Sequence, residues 1–184
     1  MALTTAKWTL NDYHRMIETG ILSDRRVELL NGEIIEMSPE GPDHAYLGDA
    51  AGDYLESLLQ GRANVREGRP ITLPDDSEPE PDIAIVNLLG KVYRQRHPYP
   101  EDVFWLIELS NSSLTKDLEP KQLIYAVAGI QEYWVANLKT SELVVFRDPQ
   151  REDYRVQLAL KDGTVQPIAF PDISISVERL FHPE

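Results

Sequence analysis

The stretches EPDIAIV at residues 80–86 and VFWLIELS at residues 103–110 decide the fold of this chain. Both are short and rich in apolar and β-branched residues, a pattern typical of strands inside a sheet. Each holds one carboxylate, Asp82 in the first stretch and Glu108 in the second. A charge buried without a partner is costly, so we predict a metal ion or an ammonium group beside them.

The alternation of side chains along these strands predicts where the two carboxylates point. Asp82 shares a face with Ala84, and Glu108 shares a face with Leu106. If the two strands are neighbours with these faces aligned, the carboxylates converge on one site.

The N-terminal third of the chain predicts a helix, a hairpin and a second helix. Thr9 caps a helix over residues 10–19, and Asn31-Gly32 joins strands at 26–30 and 33–37. A longer helix runs from about Asp43 to Gly61. The two-residue turn places Glu28 on the partly apolar face of the hairpin, as a third candidate acid. The alternative is that Glu28 is a solvent-facing residue of an edge strand.

The rest of the chain predicts short strands around one more long helix. That helix covers residues 116–128, with Thr115 as its cap, and Lys121 near its start can reach back to Glu108. The remaining predicted elements are strands at 65–66, 71–73, 132–136, 143–147, 154–160 and 165–168 and a last helical turn at 177–181. Together they predict an α/β (α+β) fold with a mixed β-sheet and few flanking helices.

Composition limits the class of protein. The 184 residues are 42% hydrophobic and contain no linker-like stretch, so we expect a single domain over residues 1–184. There is no cysteine, no signal-peptide pattern and no apolar run of the roughly 18 residues that cross a bilayer. These features predict a cytoplasmic protein without a membrane segment.

The net charge of −13, from 31 acidic and 18 basic residues, argues against a protein that coats nucleic acid generally. A local basic surface is still compatible with it. The segment at 91–99 is basic and aromatic, and its Lys91, Tyr93, Arg94 and Arg96 are candidate nucleic-acid contacts. The alternative is an ordinary solvated loop.

Several short segments, in their order along the chain, carry a family resemblance. They are ELLNGEI at 28–34, MSP at 37–39, His44, EPDI at 80–83, IELS at 107–110, Asp117, Lys121, Tyr125 and AGIQEYW at 128–134. The chain resembles the Uma2 family, part of the PD-(D/E)XK, restriction-endonuclease-like superfamily, over most of its length. The resemblance implies a restriction-endonuclease-like core with an N-terminal β-hairpin.

The resemblance also implies a catalytic centre for DNA hydrolysis. Asp82 and Glu108 would hold Mg²⁺, or Mn²⁺ in its place, and Glu28 and a lysine would complete the centre. The superfamily's short motif has lysine two residues after the glutamate, where this chain has Ser110. The lysine is then assigned to Lys121, on the following helix. By analogy with related nucleases, we expect a homodimer.

Each assignment has a structural alternative. In that alternative, Asp82, which follows Pro81, is only a cap at the entry of its strand, and Glu108 only forms a structural ion pair with Lys121. His44 would be a helix-start residue that is hydrogen-bonded to the loop before it. Tyr125 would be a packing residue whose hydroxyl orients the lysine. The competing functions are a catalytically silent nuclease fold that binds nucleic acid or a protein, and a self-associating structural protein.

Overall fold

The computed structural model describes residues 5–74, 76–111 and 119–183. Its elements, in chain order, are α1 (Leu10–Glu18), β1 (Val27–Leu30), β2 (Glu33–Glu36), α2 (Pro42–Leu59), β3 (Asn64–Glu67), β4 (Ile83–Val86), two short 3-10 helices (Gly90–Arg94 and Pro100–Asp102), β5 (Val103–Ser110), α3 (Glu119–Val127), β6 (Glu132–Asn137), β7 (Glu142–Gln150), β8 (Asp153–Leu160), β9 (Thr164–Val165), β10 (Ile175–Ser176) and α4 (Val177–Phe181). None of the described helices combines the length and the hydropathy that a bilayer crossing requires.

A six-stranded mixed sheet in the order β3-β4-β5-β6-β7-β8 forms the centre of the protein. Only β5 and β6 run parallel, and α3 lies between them in the chain, as a parallel crossover requires. In the antiparallel pair β4 and β5, Ile83 lies opposite Ile107 and Ala84 opposite Leu106. Extending this register by one residue brings Asp82 opposite Glu108, as the alternation predicted.

Helices cover both faces of this sheet. On one face, Leu55 of α2 and Leu180 of α4 pack with Trp105 and Trp134 of the sheet. On the other, Tyr125 of α3 packs with residues such as Leu106 and Tyr133. Glu108 has the parity of Leu106, so its side chain faces α3.

The hairpin of β1 and β2 forms its own small sheet beside the main one. Asn31 and Gly32 at its turn both have positive φ, 48° and 71°, as a two-residue turn of this hand requires. The Tyr13 hydroxyl donates to the Val27 carbonyl at 2.9 Å, and the Glu78 amide donates to the Leu29 carbonyl at 2.7 Å. These bonds fix β1 between α1 and the segment that leads into β4.

Most of the predicted elements are confirmed, including the Thr9-capped helix, the hairpin and the helix across the sheet. The prediction of a strand at 71–73 is wrong: among the described residues, Leu73 forms an isolated bridge with Ser77 and joins no sheet. The strand predicted at 165–168 ends at Val165, since the Ile168 amide donates to the Glu132 side chain instead. The predicted cap Thr115 lies outside the described residues.

Candidate active site

Lys121 stands at the centre of the site, in the first turns of α3. Its Nζ lies 3.2 Å from Glu28 Oε2 and 3.2 Å from Glu108 Oε1, and it donates to the Glu80 carbonyl at 3.3 Å. Burial lowers the pKa of Lys121, but the carboxylates of Glu108, Glu28 and Asp82 outweigh this and raise it above its usual range. Lys121 is therefore a cation fixed between acids from β1 and β5.

Glu108 is buried against α3, with 5% of its surface exposed. Its Oε1 accepts a hydrogen bond from the Tyr125 hydroxyl at 2.9 Å as well as from Lys121. Burial raises the pKa of Glu108 to about 7, with Asp82 and Glu28 adding to the rise against the opposing effect of Lys121. The hydroxyl of Tyr125 thus orients the glutamate. The alternative that this hydroxyl orients Lys121 is wrong, because its hydrogen bond goes to Glu108.

Glu28 is a buried member of the cluster. Only 6% of its surface is exposed, and besides Lys121 it accepts the Glu80 amide at 3.0 Å. The alternative of a solvent-facing edge residue is wrong. The reason is that the segment leading into β4 lies along β1, through the bond from Glu78 to Leu29, and covers Glu28.

Asp82 lies at the same end of the sheet and is the most open of the three acids, with 23% of its side chain exposed. Its Oδ2 accepts the Leu109 amide at 2.6 Å, so the bond goes to the end of β5 and not to the entry of its own strand. Among the described residues, Oδ1 of Asp82 has no hydrogen-bond partner. Within the part of the chain that the structure describes, this oxygen is left for a ligand.

His44, in the first turn of α2, is a member of the site whose role the sequence left open. Its Nε2 lies 3.1 Å from the Leu109 carbonyl and 3.5 Å from Asp82 Oδ2. Its hydrogen bond is thus with the strand ends, whereas the sequence suggested one to the preceding loop; toward that loop, Nδ1 lies 3.8 Å from Glu40 Oε2. Asp82 raises the pKa of His44 to about 9 despite partial burial. Its place in the family-like order was the only signal in the sequence.

The donor set suits a hard divalent cation. Glu28 and Glu108 contact the Lys121 ammonium and Asp82 lies beside His44, so three carboxylates gather at this end of the sheet, and carboxylate oxygens are the ligands that Mg²⁺ prefers. The described residues contain no ready-made cluster of three or more His, Asp and Glu side chains for a metal. Mg²⁺ needs no such cluster, because it typically keeps several waters and takes one or two carboxylates.

A cavity of about 330 Å³ adjoins the exposed side of Asp82. Its lining includes Arg26 and His44 as well as the acids Glu40 and Glu67. Arg26 is held by Glu40 at 2.7 Å. The cavity is large enough for a phosphate group beside the carboxylates.

The basic segment at 91–99 leaves the far end of β4 from Asp82. Arg96 pairs with Asp102 and stacks on the Tyr99 ring, and the Tyr93 hydroxyl donates to the Asn87 carbonyl at 2.9 Å. Lys91 and Arg94 are exposed. The role of these four side chains in nucleic-acid contact stays a prediction.

Comparison with known proteins agrees with this architecture. A putative nuclease belonging to DUF820 from Anabaena variabilis ATCC 29413 has a similar crystal structure, with a TM-score of 0.73 over 94% of this chain and 97% of that chain. The two sequences are 19% identical, so the likeness concerns the fold. No curated protein matches the chain. The profile of the Uma2 family, described as putative restriction endonucleases, matches residues 10–178, and the chain therefore belongs to the Uma2 family.

Proposed function

We propose that this protein is a Mg²⁺-dependent endonuclease that hydrolyses phosphodiester bonds of DNA. The observation that carries the proposal is the fixed position of Lys121 between Glu28 and Glu108, at the sheet end where Asp82 offers a carboxylate oxygen. The family's description as putative restriction endonucleases supports the same reaction class.

Asp82 and Glu108 would hold the metal, which could be Mg²⁺ or Mn²⁺. When bound, such an ion polarises a phosphoryl oxygen and makes a water molecule more acidic. Tyr125 fixes the orientation of Glu108 through its hydroxyl. Because burial raises the pKa of Tyr125 well above its usual value, this hydroxyl stays a donor throughout the working pH range.

Lys121 supplies a positive charge in this scheme, and not a base. Its pKa lies above its usual range, so the ammonium stays protonated at neutral pH. A fixed cation is most useful where negative charge develops on the phosphoryl oxygens during the reaction. Glu28 holds the ammonium in place, which makes it a member of the catalytic set through Lys121.

The DNA would extend from the acids across the surface around them. Exposed Lys91 and Arg94, with Tyr93 and Arg96 behind them, would contact its backbone. The homodimer, the cytoplasmic location and the single domain over residues 1–184 also stay predictions.

The direct test is cleavage of supercoiled plasmid and of single-stranded DNA with Mg²⁺ or Mn²⁺. We expect metal-dependent cleavage that falls by on the order of 10³ or more in Asp82→Asn, because several kcal/mol of charge stabilisation depend on the ion. Asp172→Asn is the matched control, since Asp172 is a surface acid that pairs with Arg62 and is not one of the site residues. If the wild type cleaves neither substrate at any salt concentration, the silent binding domain is the better account.

A further inference from the structure

We propose that His44 is a positioning residue, which holds the carboxylate of Asp82 in the orientation that a metal ion requires. The inference rests on the proposed function, because it concerns the same metal site. It assigns a role to a side chain that neither carries the reaction nor binds the ion itself.

The hydrogen-bond chemistry shows that Nε2 of His44 carries a hydrogen. A backbone carbonyl can only accept, so the 3.1 Å contact with the Leu109 oxygen places a hydrogen on Nε2. The same nitrogen lies 3.5 Å from Asp82 Oδ2. The N–H group of Nε2 thus donates to the Leu109 carbonyl and lies within ion-pair distance of the Asp82 carboxylate.

Asp82 is held from one side only. Its Oδ2 receives the Leu109 amide at 2.6 Å and lies beside His44, whereas Oδ1 has no partner among the described residues. The Leu109 amide and the nearby imidazole both engage Oδ2, which limits rotation of the carboxylate, and among the described residues the other oxygen is left for a ligand. Outer partners of this kind orient metal-binding carboxylates and are worth about 10–100-fold in metal affinity.

The scaffold behind His44 is rigid enough for this task. The side chain is 14% exposed and belongs to α2, an 18-residue helix packed on the sheet. On the same side of the helix, the Cα of Gly48 lies close to the Leu109 side chain, since a Cβ there would stand 3.5 Å from Leu109 Cδ1. The histidine therefore connects a packed helix with the ends of β4 and β5.

Two effects of removing His44 have opposite signs, and this makes the proposal testable. Loss of orientation weakens metal binding, whereas loss of a group that competes with the ion for Asp82 strengthens it. We expect the first effect, weaker metal binding, to prevail. Calorimetric titration of the full chain with Mn²⁺, at one fixed pH and without DNA, measures the affinity for the ion.

We expect His44→Ala to weaken Mn²⁺ binding by about 10–100-fold. His44→Gln should stay close to the wild type, because an amide nitrogen of glutamine can occupy the Nε2 position and donate the same bond. Tyr46→Ala is the control on the same helix, since Tyr46 is 62% exposed, and it should change nothing. Thermal melting of each metal-free variant confirms that the fold is retained.

The proposal is overturned if His44→Ala binds Mn²⁺ as tightly as the wild type or more tightly, or if His44→Gln is weakened as much as His44→Ala. Should His44→Ala fail to fold, His44→Gln alone decides: near-normal affinity supports the role, and a loss of tenfold or more contradicts it. A wild type that does not bind Mn²⁺ overturns the metal site and this role together. Normal wild-type binding with an unaffected His44→Ala variant contradicts the role of His44 alone.

Discussion

Lys121→Ala is expected to lower the rate of Mg²⁺-dependent DNA cleavage by about 10²–10³ and to leave the affinity for DNA nearly unchanged. The reason is that in the proposed mechanism Lys121 interacts with charge that develops only in the transition state, and such an interaction affects turnover and not ground-state binding. Single-turnover cleavage and equilibrium DNA binding, measured on the same protein, separate the two quantities.

The matched control is Arg94→Ala, in the exposed part of the basic segment. It should weaken DNA binding and reduce its salt dependence, with little effect on the rate at saturating DNA. If Lys121→Ala loses affinity and rate in equal proportion, Lys121 contributes to binding and has no special role in the reaction.

Stability has to be followed in the Lys121 variant as well. Removing one partner of a buried ion pair costs about 3–5 kcal/mol, because the other charge is left without compensation. In Lys121→Ala, Glu28 and Glu108 would both lose the partner of their buried ion pair. Lys121→Met, which retains the apolar stem, provides a second variant, and the kinetics should be measured well below the melting temperature of each protein.

Glu108→Gln is expected to abolish Mn²⁺ binding and to make the metal-free protein more stable on the alkaline side of neutrality. Burial raises the pKa of Glu108 from 4.5 to about 7, so folding favours the protonated acid. The stability that this preference contributes is complete below about pH 4.5 and is lost as the pH rises through about 7. Glutamine stays neutral, and its oxygen can still accept from Lys121 and Tyr125 as Oε1 does.

Urea unfolding with a chelator present, at pH 5 and pH 8, measures the difference. The free energy of unfolding of Glu108→Gln, relative to the wild type, should be higher at pH 8 than at pH 5 by on the order of 3 kcal/mol. This figure is the pKa shift of Glu108 converted to free energy. Glu36→Gln, at an exposed position of the hairpin, is the control and should show no such pH dependence. A large loss of stability at both pH values would instead support a structural ion pair between Glu108 and Lys121.

The pairing of Asp82 with Glu108 was accessible from the sequence because it depends on local rules. Alternation along a strand fixes which face each side chain takes, and two apolar strands in one small protein have a high chance of being neighbours. The same rule placed Glu28 on the partly apolar face of the hairpin. Lys121 followed from the resemblance and from a helix that begins where the Glu108 strand ends.

The burial of Glu28 and the role of His44 were not accessible in the same way. Glu28 is covered by a segment about fifty residues later in the chain, whose amide it binds with a separation of 52 residues. His44 meets Leu109 over a separation of 65 residues. Such contacts depend on how the hairpin and α2 dock on the sheet, and no periodicity within either segment specifies that docking.

The failure of the strand predicted at 71–73 has a similar cause. Its apolar residues Ile71 and Leu73 are fully or almost fully buried, as a strand pattern suggests. Their backbone amides, however, bond to Pro79 and Ser77 across a local turn. The apolar pattern at 71–73 therefore predicted the burial of these side chains correctly, but its prediction of a paired strand was wrong.

Asp82 and Glu108 are proposed to hold one divalent metal ion together, beside Lys121. Anomalous diffraction from a crystal soaked in Mn²⁺ tests it most directly. We expect one anomalous peak within coordination distance of Asp82 Oδ1 and of a Glu108 oxygen, at about 2.0–2.3 Å, and no peak at these residues in Asp82→Asn. A crystal at saturating Mn²⁺ with no peak there, or with a peak that persists in Asp82→Asn, would contradict the account.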